Sequence, residues 1–339
     1  MAGEPVARET GGQEDGAIEV RATGSLPPTD AAAVLQLVSE AARADGVSPL
    51  SEHVMLHLKY GGDPQGRDVL LWYDGRLAGY GHLDPTDRVE GPTAEMVIRP
   101  ALRRRGLGRA VGSALVSEAH GGDLRLWAHG DPPAAARLAA AVGFRRSRAL
   151  WQMRRSLSAA LAEPQLPAGV SVRTFRVGLD EDAWLAVNSR AFARHPEQGA
   201  WTKSDLELRE REPWFDPAGF FLAERDGALA GFHWTKVHGS ARRDPATAAG
   251  GPPKPTSDRE AIGEVYVVGV DPAEQGTGLG RALTLIGVQH LRGLGLAEVM
   301  LYVDESNTAA IGLYASLGFV HSGTDVMFSR EGAEPAAEG

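Results

Sequence analysis

Two spacings of apolar residues alternate along the chain, and each change of spacing marks a new element. The short segment AIEVRATG predicts a strand, and the following TDAAAVLQLVSEAARADG, with apolar residues every three or four positions, predicts an amphipathic helix. Thr29 or Asp30 is expected to cap this helix and Gly46 to follow its end. Farther on, the segment RDVLLWYDGRLAGYGHL has a strand-like pattern of apolar residues on both sides of Asp74-Gly75. This pattern predicts a hairpin with a two-residue turn.

The same order of elements occurs twice. Each half carries a strand, a helix, a hairpin, another strand, a Gly-rich turn, a helix, a strand, a helix and a closing strand. The six-residue step from Pro100 to Gly106 recurs from Pro272 to Gly278. Self-similarity of this kind indicates a tandem duplication that covers almost the whole chain.

The repeat divides the chain into two domains and several irregular segments. Stretches of low hydrophobicity that are rich in Pro, Gly and Ala predict flexible regions. We assign a disordered tail to 1–16, a first domain to 17–156, a linker to 157–169, a second domain to 170–330 with a flexible insertion at 239–260, and a tail to 331–339. A plain surface loop is the simple interpretation of the insertion, and a substrate lid is the alternative.

One stretch in the second half, GEVYVVGVDPAEQGTGLGR at 263–281, predicts a strand, a tight turn and the start of a helix. Pro272 ends the strand because it cannot donate a ladder hydrogen bond. Gly276, Gly278 and Gly280 let backbone amides point into one concavity, and a helix that begins in this way is an anion site. No Gly-Lys-Ser/Thr follows, so it is not a Walker A loop, and an ordinary Gly-rich turn is the alternative.

Composition narrows the possible functions. The 339 residues allow two domains, and the formal net charge of −9 argues against a general nucleic-acid or anionic-membrane binder. No apolar run reaches the length of a membrane span, and the first residues lack the apolar core of a signal peptide. The absence of cysteine excludes disulfides and thiolate ligands and is consistent with a cytoplasmic protein. The 10 histidines show no metal-ligand spacing, so we expect surface histidines and no metal. We also expect the protein to be a monomer.

The spacing Gln275-x-x-Gly278-x-Gly280 resembles the acyl-CoA pyrophosphate loop of the GNAT N-acetyltransferases. The resemblance implies an α/β fold in which each half has a mostly antiparallel mixed sheet, with splayed central strands and flanking helices. It also implies acetyl-CoA as cosubstrate. The implied acetyl-CoA contacts of the second half are Val268, Gly269, Val270, Gln275, Gly276, Thr277, Gly278, Leu279, Gly280, Arg281, Asn307, Thr308, Ala309, Ala310, Ile311 and Gly312. Those of the first half are Met96, Val97, Ile98, Arg104, Arg105, Gly106, Leu107, Gly108 and Arg109.

Acetyl transfer to an amine requires a general base for the ammonium proton and an acid for the leaving thiolate. Glu264, at the start of the strand whose far end would bind the cofactor, is the candidate base, and a solvated edge residue is the alternative. Tyr314, seven residues after Asn307 on the same helix face, is the candidate acid, and a core tyrosine is the alternative.

The first half lacks these groups. Pro92, Ala139 and Pro132 stand at the positions that Glu264, Tyr314 and Asn307 occupy in the second half. We therefore expect the second half to perform the chemistry. The first half either binds acetyl-CoA without reacting or only completes the substrate cleft, and its three consecutive arginines could equally form a solvated basic turn.

Longer motifs narrow the resemblance. GVSPLSEHV, AFARHPEQGAWT, GFHWTKVH, GEVYVVGVDP and LYVDESNTAAIGLYASLGF resemble the mycothiol synthases, a tandem-domain GNAT family. The resemblance implies a small-molecule thiol precursor, cysteinyl-glucosaminyl-inositol, as the amine substrate. The implied substrate contacts are Glu52, Glu197, Lys236, Glu264 and Tyr302. Gly276-Thr277 depart from the arginines that the family often has there.

Two alternatives stay open at this point: a tandem GNAT enzyme that acetylates an aminoglycoside or a peptide amine, and a non-catalytic acyl-CoA-binding module. Convergence of Glu52, Glu197 and Lys236 on one cavity beside Glu264 would separate the first alternative from the mycothiol interpretation.

Overall fold

The computed structural model describes residues 17–61, 65–87, 90–193, 196–239 and 261–332, with the backbone alone at 196 and 197. The predicted N-terminal tail and nearly all of the predicted insertion and C-terminal tail lie outside these ranges. The described chain groups into two compact units. The first comprises residues up to Asp84 together with Ala94–Gly122 and the C-terminal end, and the second comprises Pro85–Thr93 and Asp123–Glu331.

The first unit is a four-stranded sheet, in the order β1-β2-β3-β4, with three helices. Its elements are β1 (Ile18–Thr23), α1 (Pro28–Asp45), α2 (Glu52–Tyr60), β2 (Arg67–Tyr73), β3 (Arg76–Asp84), β4 (Thr93–Ile98) and α3 (Leu107–Glu118). The predicted hairpin is present, since Asp74 and Gly75 have φ values of 50° and 72° between antiparallel β2 and β3. Positive φ at both central positions is the geometry that two-residue hairpin loops require.

The predicted cap of α1 is wrong. The helix begins at Pro28, one residue before the expected cap, and Pro27 precedes it without a side-chain hydrogen bond. Proline fits the first helical position because its φ is preset and its missing N–H would be unpaired there anyway. Asp30 instead forms an ion pair with Arg21. The other end agrees with the sequence, because Gly46 closes the helix at φ 77°.

The second unit is an eight-stranded sheet in the order β5-β12-β6-β11-β10-β9-β8-β7. Its elements are β5 (Leu124–Ala128), α4 (Pro133–Ala141), β6 (Arg145–Ser156), β7 (Val170–Thr174), α5 (Glu181–Ala191), α6 (Pro196–Gly199), α7 (Lys203–Glu210), β8 (Phe220–Arg225), β9 (Ala228–His238), β10 (Ile262–Val270), α8 (Leu279–Gly293), β11 (Glu298–Asp304), α9 (Thr308–Ser316) and β12 (Val320–Arg330). The boundaries of the compact units differ from those of the sequence repeats, because β6 of the first repeat pairs with β11 and β12 of the second.

The central strands of this sheet diverge, as the resemblance to the GNAT family implies. β10 and β11 run parallel and pair only from Gly263–Val299 to Val265–Leu301. Beyond that point β10 continues along β9 as far as Val270, while β11 continues along β6 as far as Asp304. Among the described strands, none pairs with the β11 side of β10 beyond Val265. An extended ligand can pair with such an edge in the way that an added strand does.

The backbone preserves the duplication in detail. A 3₁₀ turn follows the strand in each copy, at Pro100–Leu102 and at Pro272–Glu274. Helices α3 and α8 then begin after residues with left-handed geometry, Gly106 at φ 81° and Gly278 at φ 89°. None of the helices in the described part of the chain combines the length and apolar character needed to cross a bilayer.

Candidate active site in the second unit

The Gly-rich turn between β10 and α8 has the form of an anion cradle. Gly276 and Gly278 have φ values of 78° and 89°, and a side-chain carbon at either position would meet no atom within 4 Å. Among the described residues, no group accepts a hydrogen bond from the consecutive amides of Gly276 to Arg281. Unpaired amides at a helix N-terminus are donors for phosphate oxygens.

Positive side-chain charge near this turn comes from Arg281. Its Nη1 donates to Ser316 Oγ at 2.7 Å, which fixes the guanidinium between α8 and α9. Thr277, where the family often has arginine, donates instead to the carbonyl oxygen of Glu274 at 2.7 Å. The groups that this turn offers to an anion are therefore backbone amides more than charged side chains.

We expect Gly278→Val to raise the Kd for acetyl-CoA about tenfold, because a β-branched residue held in the left-handed region is strained by about 1–3 kcal/mol. Calorimetric titration of the full-length protein measures the change. Gly293→Ala is the matched control, since Gly293 ends the same helix without a positive φ and its space is open. An unaltered affinity in Gly278→Val would contradict the assignment of this turn.

Glu264 lies on β10 within the paired segment and is buried, with 6 % of its surface exposed. Its Oε2 accepts a hydrogen bond from His238 Nε2 at 2.5 Å. The alternative of a solvated edge residue is therefore wrong. A buried carboxylate with one defined partner keeps a fixed position and can still accept a proton from a ligand.

Neighbouring strands place three further polar side chains on the face that carries Glu264. Lys236 on β9 is the direct cross-strand partner of Glu264, and His238 follows two positions later. Tyr302 lies two positions after Met300, the partner of Glu264 on β11. Partners in register share a face, and so do residues two apart on one strand. The sheet thus brings together the predicted Glu264, Lys236 and Tyr302.

The ammonium of Lys236 lies over two aromatic rings. Its Nζ is 4.3 Å from the ring centroid of Trp214 and 4.9 Å from that of Tyr266, and the residue is 8 % exposed. Cation–π contacts of this kind hold a cation without neutralising it. Lys236 is therefore a positioned charge beside Glu264 and does not extend into solvent.

The hydroxyl of Tyr302 accepts a hydrogen bond from Gln152 Nε2 at 2.9 Å. Burial of this hydroxyl, with smaller effects from the charges of Asp325 and Glu264, raises the pKa of Tyr302 to about 12. The phenol is therefore protonated at neutral pH. The residue as a whole is 38 % exposed, so it lines an accessible surface and is not part of the core.

Tyr314 lies on α9 and is 7 % exposed, so the core interpretation of this residue describes its ring correctly. The ring packs edge-on against Phe319. It belongs to a core cluster that includes Val265 of β10, and Val268 packs against that cluster. Burial raises the pKa of Tyr314 to about 12, so the hydroxyl stays protonated. Its role as an acid stays a prediction.

The helix α9 begins where the sequence places it. Asn307 caps the helix, since its side-chain oxygen accepts from the amide of Ala310 at 3.1 Å. In the first copy Pro132 caps α4 without a side-chain hydrogen bond, and Ala139 occupies the position of Tyr314. The sequence comparison of the two copies is thus preserved in their helices.

Two of the predicted substrate residues stay predictions. Glu52 is the first residue of α2 and belongs to the first unit, and its place in the site stays a prediction. Glu197 lies in α6, but its side chain falls outside the described residues. Convergence of all the predicted substrate residues is therefore untested.

The turn of the first unit keeps the backbone form but uses its arginines differently. Arg103 makes two hydrogen bonds to Asp45, at 2.7 and 2.6 Å, so it forms an ion pair. Arg104 takes the left-handed position, at φ 67°, that Gly276 has in the second copy. Arg105 lies 5.6 Å from the ring centroid of Tyr73 and is exposed. Arg103 is thus held by Asp45, whereas Arg104 and Arg105 have exposed side chains.

The sequence did not identify His238, Trp214, Tyr266 or Gln152. His238 could have been found from the two-residue period of β9 beyond Lys236. Gln152 could not, because it belongs to the first copy and reaches Tyr302 only through the insertion of β6 beside β11. The expectation of surface histidines is also wrong, since His233 is completely buried and His82 is 3 % exposed.

Comparison with known proteins identifies the family of the chain. A model of the acetyltransferase (GNAT) family matches residues 33–144 and 185–319. The chain is 58 % identical to the mycothiol acetyltransferase of Thermobispora bispora over 92 % of this chain and 99 % of that protein. It is 56 % identical to the mycothiol acetyltransferase of Acidothermus cellulolyticus over 93 % of this chain and 95 % of that protein.

Solved structures show the same fold. A tandem GNAT protein from the clavulanic acid biosynthesis pathway superimposes with a TM-score of 0.68 at 21 % identity, covering 94 % of this chain and 100 % of that one. A GCN5-related N-acetyltransferase from Sphaerobacter thermophilus gives a TM-score of 0.62 at 24 % identity, covering 94 % and 98 %. Two copies of one fold in a single chain are thus found in solved proteins as well.

Proposed function

The chain belongs to the acetyltransferase (GNAT) family, and from that premise we propose that it acetylates the cysteinyl amine of cysteinyl-glucosaminyl-inositol to give mycothiol. The observation that carries the proposal is the identity of 56 % and 58 % with proteins named mycothiol acetyltransferase, over more than nine tenths of the chain. Identity at this level extends well beyond the loops that all acyl-CoA enzymes of the family share.

Acetyl-CoA is the acetyl donor in this proposal, and it supplies an activated thioester. The turn of the second unit suits its pyrophosphate because the amides of Gly276 to Arg281 have no partner among the described residues. The free edge of β10, from Val268 to Val270, suits the extended pantetheine arm. The start of α9, from Asn307 to Gly312, completes the set of proposed contacts.

Glu264 is proposed as the general base. A primary amine is protonated at neutral pH and must lose a proton before it attacks a carbonyl carbon. The carboxylate accepts that proton, directly or through a water molecule. The hydrogen bond from His238 supports this role, since it fixes one carboxylate oxygen and leaves the other for the ligand.

Tyr314 is proposed as the general acid that protonates the leaving thiolate. Burial raises the pKa of Tyr314 to about 12, so the hydroxyl carries its proton throughout the neutral range. Among the described residues the hydroxyl has no hydrogen-bond partner, so it is available to a ligand.

Lys236 and Tyr302 are proposed to bind the polar sugar and inositol groups, together with Glu52 and Glu197. A polyhydroxylated ligand needs several groups with spare hydrogen-bonding capacity. Lys236 and Tyr302 are supported in this role by their fixed positions around Glu264. The first copy, which keeps the turn but lacks the base and the acid, is proposed to bind acetyl-CoA without chemistry through Met96–Ile98 and Arg104–Arg109.

An acetylation assay with three amines tests the function. Purified protein is given acetyl-CoA with cysteinyl-glucosaminyl-inositol, an aminoglycoside or a peptide amine, and the acetylated product is measured by mass, since the precursor itself carries a thiol. We expect kcat/KM for the precursor to exceed that for the other amines at least about a hundredfold, because buried polar groups reject ligands that leave them unpaired. A preference for the aminoglycoside or the peptide would overturn the proposal. Turnover of none of the three would favour a binding module.

A further inference from the structure

A buried polar cluster lies in the first unit, away from the groups proposed for acetyl transfer. Asp68 on β2 accepts hydrogen bonds from His82 Nδ1 at 2.9 Å, His57 Nε2 at 3.1 Å and Tyr80 Oη at 2.6 Å. Asp68 is fully buried, His82 is 3 % exposed, and the side chain of His57 is 9 % exposed. Burial acts to raise the pKa of Asp68, but the three hydrogen bonds outweigh it and hold the carboxyl well below its usual range.

The duplication shows that the fold does not need polar groups at this place. Asp68 and His82 are cross-strand partners in the hairpin of the first copy. Phe220 and Trp234, at the same distances from the Asp-Gly turn, are partners in the second, where their rings stack at 4.5 Å. Burying a carboxylate and two imidazoles costs free energy that two stacked rings do not cost. A specific use therefore has to account for them.

The geometry points to a divalent metal site, and we propose that His57, Asp68 and His82 bind a zinc-class cation. Their ligand atoms all lie within 4.8 Å of one another. Tetrahedral coordination at zinc–nitrogen distances of about 2.0–2.1 Å separates neighbouring ligand atoms by about 3.3 Å. The observed separations of 2.9 and 3.1 Å require only a small outward movement for an ion to enter.

The donor set determines the class of ion. Two imidazoles and one carboxylate suit zinc and neighbouring transition metals better than calcium or magnesium, which prefer oxygen ligands. The carboxylate of Asp68 supplies a negative charge that a divalent cation compensates. Tyr80 donates to the carboxylate and fixes its orientation, which is the usual support of a metal-bound carboxylate.

The ion would join α2 to the β2–β3 hairpin. His57 lies in the last turn of α2, and the first residue of the same helix is Glu52, a proposed substrate contact. A metal at this point would fix the orientation of that helix. The sequence did not reveal the site because its three ligands are not close together in the chain and only folding brings them together.

Zinc content and thermal stability of the full-length protein test the proposal. The protein is stripped with chelator, loaded with zinc chloride, freed of excess metal and analysed by mass spectrometry for bound zinc. We expect about one zinc ion per chain and a higher Tm in the loaded sample, because an ion that binds the folded state stabilises it. His82→Gln should lose both effects, and Tyr80→Phe should weaken zinc binding about tenfold to a hundredfold.

His53→Gln is the matched control, since His53 lies on α2 with an exposed side chain and should not alter zinc binding. If His82→Gln does not fold, the wild-type titration alone decides. A wild-type protein that takes up no stoichiometric zinc and shows no shift in Tm overturns the proposal and identifies the cluster as a metal-free hydrogen-bond network. Equal zinc content in folded wild type and His82→Gln would overturn it as well.

Discussion

We expect Glu264→Gln to lower kcat for acetyl transfer by about 10²–10⁴-fold while leaving the Kd for acetyl-CoA unchanged. Glutamine keeps the size of the side chain and one oxygen that can accept from His238, but it cannot take the ammonium proton. The loss should therefore fall on the chemical step. Single-turnover kinetics and calorimetric titration separate the two quantities.

Glu298→Gln is the matched control for this experiment. Glu298 opens β11, the parallel neighbour of β10, and is exposed, with a long 3.7 Å ion pair to Arg154. Its substitution should leave turnover within a factor of about two, since exposed ion pairs contribute little. A wild-type single-turnover rate in Glu264→Gln would contradict the proposal that Glu264 is the base. It would not contradict the proposed acetyl-CoA site.

Tyr314→Phe should lower kcat about a hundredfold, near the lower end of the range for a proton donor, because a thiolate is a good leaving group. The substitution removes the hydroxyl alone. The ring keeps its edge-on packing against Phe319, so the fold should be as stable as that of the wild type. Thermal unfolding and single-turnover kinetics measure the two effects.

The pH dependence adds a second readout for Tyr314. Because burial raises its pKa to about 12, the hydroxyl should not lose its proton below about pH 11, and the rate should not fall on that account in the weakly alkaline range. Tyr60→Phe, at an exposed position on α2, is the control and should leave kcat unchanged. An unaltered kcat in Tyr314→Phe would assign the protonation of the thiolate to another group or to solvent.

Local chemistry accounts for what the sequence could predict. Asp-Gly pairs specify their turns without help from the rest of the chain, and both predicted hairpins are present, the second with Asp226 and Gly227 at φ 52° and 79°. The turn from Pro272 to Gly278 is likewise fixed by residues within it. The family and the fold could be predicted for the same reason, because the motifs that indicate them consist of residues close together in the chain.

Some local signals were present in the sequence but were missed. Helix α7 begins with a capping box, in which Thr202 accepts from the amide of Asp205 and Asp205 accepts from that of Thr202. The start of α1 was misplaced because Pro28 competes with Thr29 and Asp30 as the first-turn residue. These errors concern boundaries and short helices, where neighbouring residues offer more than one acceptable start.

Long-range contacts account for what could not be predicted. Gln152 contacts Tyr302 only because β6 lies between β11 and β12. His57, Asp68 and His82 meet through the packing of a helix on a hairpin. Apolar periodicity reports which face of an element is buried, but it does not report which other element covers that face.

The position of β6 also constrains the synthesis of the protein. A hydrogen bond from Ser322 to the backbone of Gln152 joins residues 170 positions apart, so β6 leaves the ribosome long before either of its neighbouring strands exists. Until then both of its edges are open, and open strand edges invite pairing with other chains. The eight-stranded sheet cannot be completed until β12 has been made, and pairing between strands that are distant in the chain is slow to form. The eight-stranded sheet therefore draws strands from both copies, and the first copy cannot complete it alone.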